Sequence, residues 1–315
     1  TDPMLACISR HFLATAKPEF TREISKQAGN SSASNRMTRI GSLSWILAVL
    51  WTSLAAGRAA DSLAQVHTPL GDWLLVLFDT DKPVTVANFK QYVATGRFRD
   101  SFVQRWEPGF VIQGGGFFVT NRFKSNPAIL SVPTFGSITN EYSVGPTLSN
   151  TYGTIAMARA GGQTNSATSQ WFLNLADNVG LDTVDGGFTV FGRVAVGTNL
   201  LNRFNRTSVA NGIFPLNLGG ALYRVPVLSP APTFGDLIYS DFSLPDWPRV
   251  RIAVDAGRLR LAWNSLSNFV NHLEFASGFP LSWQTFVSTN GTGQTIEVFD
   301  DRPGTAGGCY RVRIE

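Results

Sequence analysis

The chain has 315 residues, 30 glycines, 23 phenylalanines and a formal net charge of +4, and it is long enough for two domains with sizeable cores. Of its 26 Lys plus Arg and 22 Asp plus Glu, seven and three lie in the first 59 residues, leaving nineteen of each sign beyond, so the basic balance implies no nucleic-acid or anionic-membrane partner. His11, His67 and His272 with Cys7 and Cys309 are too scattered for a zinc or dithiol site, and neither a metal nor a cofactor is expected.

Residues 1–36 are polar and without period, and they read as an upstream segment that is non-native or disordered. From Met37 the text changes: Arg39 supplies a basic start, residues 43–56 form an uncharged apolar run, and Gly57-Arg58-Ala59 offers small residues around a cleavage point. This reads as a signal peptide over residues 37–59, since a comfortable membrane span needs about 20 apolar residues. A buried helix or an uncleaved anchor is the alternative. The mature chain is then exported, periplasmic or secreted, and begins near Ala60. Cys7 goes with the excluded segment 1–36, leaving Cys309 as a free or intermolecular thiol.

Residues 73–78 are a continuous apolar run of strand length, suited to burial on both faces. Residues 85–95 place Val86, Phe89 and Val93 at helical spacing, with Thr85 as N-cap and Gly96 as stop. Residues 105–116 join Arg105 and Trp106 through the turn Pro108-Gly109 to Phe110, Val111, Ile112, Gln113 and three glycines. In a strand, Val111 and Gln113 share one face and Phe110 and Ile112 the other, unless the turn twists the ladder. The glycines allow another backbone, or a peptide, to come close. Taken alone, the segment is also compatible with a plain hairpin whose arginine is solvated and whose phenylalanine is core.

Residues 117–136 read as a long loop. Strands are expected at 154–159, 170–174 and 187–194, with a rim of small and polar residues at 160–169, Leu181 in a loop, and a short amphipathic helix at 199–204. Residues 223–228 and 237–242 would close the sheet. Many short strands, two helices and glycine turns describe a mainly β protein, a barrel with helical caps. Residues 244–248 read as a linker. Beyond them the period is two: Leu259, Leu261 and Trp263 share a face, as do Tyr310, Val312 and Ile314, with turns at Gly257 and Asn290-Gly291, which suits a small β-sandwich over residues 249–315.

In chain order, Asn88-Phe89, Arg105 with Pro108-Gly109-Phe110 and Gln113-Gly-Gly, Asn140-Glu141, Gly153-Thr-Ile-Ala-Met-Ala-Arg, Ser169-Gln-Trp-Phe and Gly187-Phe-Thr-Val-Phe-Gly resemble the cyclophilin family of peptidyl-prolyl isomerases. The resemblance covers roughly residues 66–243. It implies an eight-stranded antiparallel barrel capped by two helices, a proline site on its outer face, and a monomer acting on proline-containing polypeptide clients. It implies catalytic roles for Arg105, Phe110 and Gln113. It also implies a peptide groove made by Val111, Phe172, Leu181 and Phe188, the backbone of Ala158 and Arg159, and Gln170, which would orient Gln113 or touch the peptide.

The chain departs from the family pattern in places. Val111 stands where Met is frequent, Phe188 where His is, and Gly180 where an indole covers cyclosporin-type inhibitors; the loop 160–169 is slightly long. The C-terminal part is similar to fibronectin-like modules of secreted bacterial proteins. A non-catalytic proline-peptide binding module, tethered by that part, is the competing reading.

Overall fold

A computed structural model describes residues 5–8, 61–206, 212–277, 280–301 and 308–315. Strand β1 (Leu5–Ile8) joins a C-terminal sheet. The barrel is an eight-stranded antiparallel sheet built from β2 (Ser62–Thr68), β3 (Gly71–Leu77), β4 (Arg105–Glu107), β5 (Val111–Gly114), β8 (Thr154–Met157), β9 (Trp171–Asn174), β10 (Val190–Val196) and β13 (Asp241–Ser243). Its order is β13-β2-β3-β10-β8-β9-β5-β4, so the sheet must curl to hide its edges. Residues 101–103 and 238–240 close the gap: Val103 N donates to Ile238 O and Ser240 N to Ser101 O, both at 2.9 Å. The interior holds Trp73, Leu75, Leu77, Ile112, Ile155, Trp171, Leu173 and Phe191, joined by Phe89 and Tyr92 of α1 (Pro83–Ala94) and Leu201 and Phe204 of α2 (Thr198–Asn205).

The helix expected at 85–95 begins two residues earlier, and Thr85 is not its N-cap. Proline at the first helical position has no N–H to satisfy and a φ already suited to the helix. The open amides of Val84 and Thr85 are instead taken by the Glu141 carboxylate at 3.1 and 2.7 Å, across more than fifty residues. Beside it the buried Lys82 ammonium donates to the carbonyls of Glu141, Val144 and Pro146 at 2.8, 2.6 and 2.9 Å. Residues 117–136 are not simply a loop, since they fold as the ribbon β6 (Phe117–Thr120) and β7 (Ala128–Ser131). The run at 223–228 does not close the sheet either. It supplies β12 (Val225–Val227), which pairs with β11 (Phe214–Leu216) as a separate ribbon.

The C-terminal part is a sandwich of two sheets. One is β14 (Arg251–Asp255), β15 (Arg258–Asn264) and β18 (Thr295–Asp300); the other has the order β1-β19-β16-β17, from β16 (Val270–Ala276), β17 (Gln284–Asn290) and β19 (Gly308–Ile314). Alternation along the strands turns Leu261, Trp263, Leu273, Tyr310 and Val312 into one common core. The reading of residues 1–36 as lying outside the fold meets an exception at Leu5–Ile8, which pairs antiparallel with β19. Cys7 stands opposite Cys309 in the register, and Cys309 is disulfide-bonded rather than free. The rest of that segment and the signal peptide at 37–59 fall outside the described residues.

The two parts are packed together. On β3, Trp73, Leu75 and Leu77 face the barrel core, while Leu74 and Val76 join Leu63, Leu266, Phe269 and the half-buried Trp247 in a second cluster. Hence the apolar run 73–78 is buried on both faces, its outer one by the sandwich. Three hydrogen bonds edge this contact: Gln65 Nε2 to Ser267 O (3.0 Å), Asn268 Nδ2 to Asp72 Oδ2 (2.9 Å) and Trp247 Nε1 to Asp61 O (2.5 Å). Residues 244–248 are therefore more than a linker, with Pro248 buried as well.

Candidate active site

β4 and β5 are joined by a tight turn in which Phe110 N donates to Glu107 O at 2.9 Å and Gly109 takes φ 74°, as a type II turn with proline at its second position requires. The pair registers Arg105 against Gln113 and Glu107 against Val111. Ile112 points into the barrel core, and Val111 lies on the opposite face. Phe110 belongs to the turn and not to the ladder, which frees it from the alternation and lets it join Val111 beside the pocket. The glycines after Gln113 do bring groups close, but the groups are the protein's own. A Cβ on Gly114 would stand 2.5 Å from the Trp171 ring, and one on Gly116 would run into the Gln104 side-chain amide.

A cavity of about 270 Å³ on the outside of the barrel is lined by Arg105, Phe110, Val111, Gln113, Ala158, Arg159, Phe172, Leu181 and Phe188. Nine of the ten residues singled out in the sequence thus meet around one space. The tenth, Gln170, sits behind it and accepts from Gln113 Nε2 at 2.8 Å, so it orients Gln113. Phe172 and Phe188 meet edge to face with centroids 5.7 Å apart, which makes a wall for a small apolar ring. Phe191, by contrast, is core. The Ala158 amide already donates to Gln170 O at 2.9 Å, so Ala158 can offer a bound peptide only its carbonyl.

Arg105 is one-third exposed, and its Nε donates to the Tyr223 hydroxyl at 3.0 Å. Its guanidinium carbon lies 5.9 Å from the Phe110 ring centroid. Tyr223 in turn donates to Glu107 Oε1, and Arg224 Nη1 donates to Glu107 Oε2 at 2.8 Å. Burial opposes the charge on Glu107, but the Tyr223 hydrogen bond and the Arg224 and Arg105 guanidiniums outweigh it and hold the carboxyl below the ordinary glutamate value.

Arg159 has a buried side chain. Its Nη2 donates to the carbonyls of Val184 and Asp185 at 2.7 and 3.0 Å, and the guanidinium lies 4.2 Å over the Phe188 ring. It therefore pins the loop that carries the pocket's wall, a side-chain task that the reading of its backbone did not include. Gly180 faces open space, with nothing within 4 Å of where a Cβ would stand.

Sequence reasoning missed four residues. Gln104 donates to Gln170 Oε1 at 2.8 Å and accepts from Gly116 N at 2.7 Å, which locks the amide cluster behind Gln113. Glu107, Tyr223 and Arg224 form the group beside Arg105. Only Glu107 carried a local signal, two positions from Arg105 on one strand face. Asn88 and Asn140-Glu141 turn out to brace the frame: Asn88 Nδ2 bonds Thr168 O at 2.7 Å and Asn140 Nδ2 bonds Gly187 O at 2.9 Å. Among the described residues no group of three or more His, Cys, Asp or Glu could hold a metal ion.

Residues 63–217 match the family model described as cyclophilin type peptidyl-prolyl cis-trans isomerase/CLD. A peptidyl-prolyl cis-trans isomerase of Acinetobacter baylyi is 36% identical over 152 residues, which cover 48% of this chain and 75% of that protein. The peptidyl-prolyl cis-trans isomerase A of Dickeya dadantii is 38% identical over 169 residues, 53% of this chain and 83% of that one. The peptidyl-prolyl cis-trans isomerase B of Escherichia coli is 36% identical over 155 residues, 48% and 87%. With four of the six motif blocks meeting at one outer pocket, the other two bracing the frame, and relatives matched over most of their length, the chain belongs to the cyclophilin-type peptidyl-prolyl cis-trans isomerase family.

Proposed function

We propose that the chain isomerises Xaa-Pro peptide bonds, with the proline ring in the Phe110, Val111, Phe172, Leu181 and Phe188 pocket and Arg105 as the catalytic donor. The observation that carries this reading is the placement of Arg105 and Gln113 side by side at the rim of that apolar cavity. Rotation about the bond breaks amide resonance against a barrier of about 18–20 kcal/mol. At the twisted state the proline nitrogen becomes pyramidal and basic. A donor aimed there stabilises that state and not the planar ones, which is how binding becomes catalysis. Guanidinium is always protonated, so Arg105 acts without titrating. Gln113, oriented by Gln170, holds a substrate carbonyl beside the proline while the remainder of the bond turns.

Clients are proline-containing polypeptides. They are exported ones if residues 37–59 act as a leader and the chain works in the periplasm or outside the cell, where it would assist folding as a monomer. No helix among the described residues is long and apolar enough to cross a membrane. The sandwich, through its likeness to fibronectin-like modules, supports a role as an attachment unit. Magnetisation-exchange NMR on a short Ala-Pro peptide tests the activity, and its absence would favour the pure binding module. N-terminal sequencing of native material tests the leader: a start near Ala60 is expected, and a retained segment 43–56 would make the protein an anchored one.

A further inference from the structure

We infer that Glu107 and Tyr223 are positioning residues for Arg105, a clamp that fixes one edge of its guanidinium and leaves the other for the proline pocket. The inference rests on the isomerase reading above. Arg105 and Glu107 project from the same face of β4, yet Arg105 Nε lies 3.6 Å from Glu107 Oε1, beyond a direct hydrogen bond. The Tyr223 hydroxyl stands between them, accepting from Arg105 Nε at 3.0 Å and donating to Glu107 Oε1.

That order of atoms matters. A carboxylate set directly against an arginine takes two parallel N–H groups in a bidentate pair and so occupies a whole edge of the cation. An interposed phenol takes only Nε–H. Because the carboxylate holds the phenolic proton, the oxygen lone pair is turned toward the guanidinium, and the contact is directional. Glu107 is itself balanced by Arg224 Nη1 at 2.8 Å, which limits how much of the Arg105 charge it neutralises.

The clamp has a backbone mount: Trp106 N donates to Arg224 O at 2.9 Å, tying the segment that carries Tyr223 to the strand that carries Arg105. Arg105 is thereby ordered before the peptide arrives; its contacts to the clamp run through Nε, and the residue lines the pocket, so its Nη groups are left for a bound peptide. Preset donors are worth most at the transition state, because no reorganisation is needed as the charge develops.

The test uses the full chain with Tyr223→Phe and Glu107→Gln, each also combined with Arg105→Ala. Catalysed exchange of an Ala-Pro peptide should fall by about tenfold in kcat, with KM within about twofold, as for a group that matters in the twisted state alone. Tyr223 is 42% exposed, so Tyr223→Phe should lower Tm only slightly, by the loss of its hydrogen bond to Glu107, and leave the fold intact. On the Arg105→Ala background neither change should lower the rate further. The Arg105 Nε–H signal in 15N NMR should be sharp in the parent protein and broadened in both variants. Unchanged kcat in Tyr223→Phe, an equal loss on the Arg105→Ala background, or an unaltered Nε–H signal would each overturn the clamp. A parent protein with no catalysed exchange would instead overturn the isomerase reading, and the purpose of the clamp with it.

Discussion

Cutting the chain after Ser243 removes the sandwich and uncovers the outer face of β2 and β3. Leu63, Leu74 and Val76, now 1%, 3% and 9% exposed, would face water. Burial of such a side chain contributes about 1.5–3 kcal/mol, so the three together represent roughly 4.5–9 kcal/mol. That is an upper estimate, because the freed strands can relax and the unfolded chain already hides some surface. Against a typical total of about 5–15 kcal/mol it is still a large share. For a barrel of this size each kcal/mol moves Tm by about 2–4 °C, so even a loss of about 4 kcal/mol lowers Tm by roughly 8–16 °C. Scanning calorimetry of the shortened and full chains measures this directly. Phe269→Ala in the full chain checks it without truncation, with an expected cost of about 3–5 kcal/mol if the site cannot collapse. A chain ending at Ser243 that melts within about 3 °C of the full one and stays soluble would refute the reasoning. It would mean that the two parts lie against each other without stabilising the barrel.

Two further outcomes follow from single sites. Gly180→Trp should fold, because the position opens on free space, and it should raise affinity for cyclosporin-type inhibitors by about thirtyfold or more while changing peptide turnover little; potent inhibition of the unmodified protein would contradict this. Burial opposes the ionisation of Glu274, but the Arg313 and Arg311 hydrogen bonds outweigh it and hold its carboxyl below the ordinary 4.5, as Glu107 is held in the barrel. Stability from both is therefore complete above about pH 4.5 and lost as pH falls through the lowered folded values. Tm measured from pH 6 down to about pH 3 should drop, and Glu274→Gln should flatten that drop; parallel curves would remove Glu274 from the account.

Much of the site was legible in the sequence because its parts are local. Arg105, Phe110, Val111 and Gln113 lie within one hairpin, and the turn at Pro108-Gly109 sets their geometry almost alone. The unread parts depend on contacts across the chain. Glu141 caps α1 from over fifty residues away, so no N-terminal signal near Thr85 could report it. Tyr223 reaches Arg105 across 118 positions, from the turn just before β12, in a run that the strand pattern assigned to the main sheet. The apolar run in β3 was correctly expected to be buried on both faces, yet periodicity cannot say that a second domain covers one of them. Alternation in the last 67 residues did yield the sandwich, since a period of two gives each strand one apolar face and, with no helix signal among them, the sheets have only each other to pack against. It could not place a strand from the other end of the chain, Leu5–Ile8, beside β19.

The central claim is that Arg105 stabilises the twisted peptide bond. It is tested most directly by cis–trans exchange rates of an Ala-Pro peptide, measured by NMR with the full chain and with Arg105→Ala. A charge-assisted hydrogen bond is worth about 1.5–3 kcal/mol, so loss of the donor should slow turnover by about one to two decades. Peptide affinity should change far less, because the apolar pocket and Gln113 remain, and the fold should persist, since Arg105 is one-third exposed. Turnover in Arg105→Ala equal to that of the parent would contradict the account, whatever the affinity of the two proteins for the peptide.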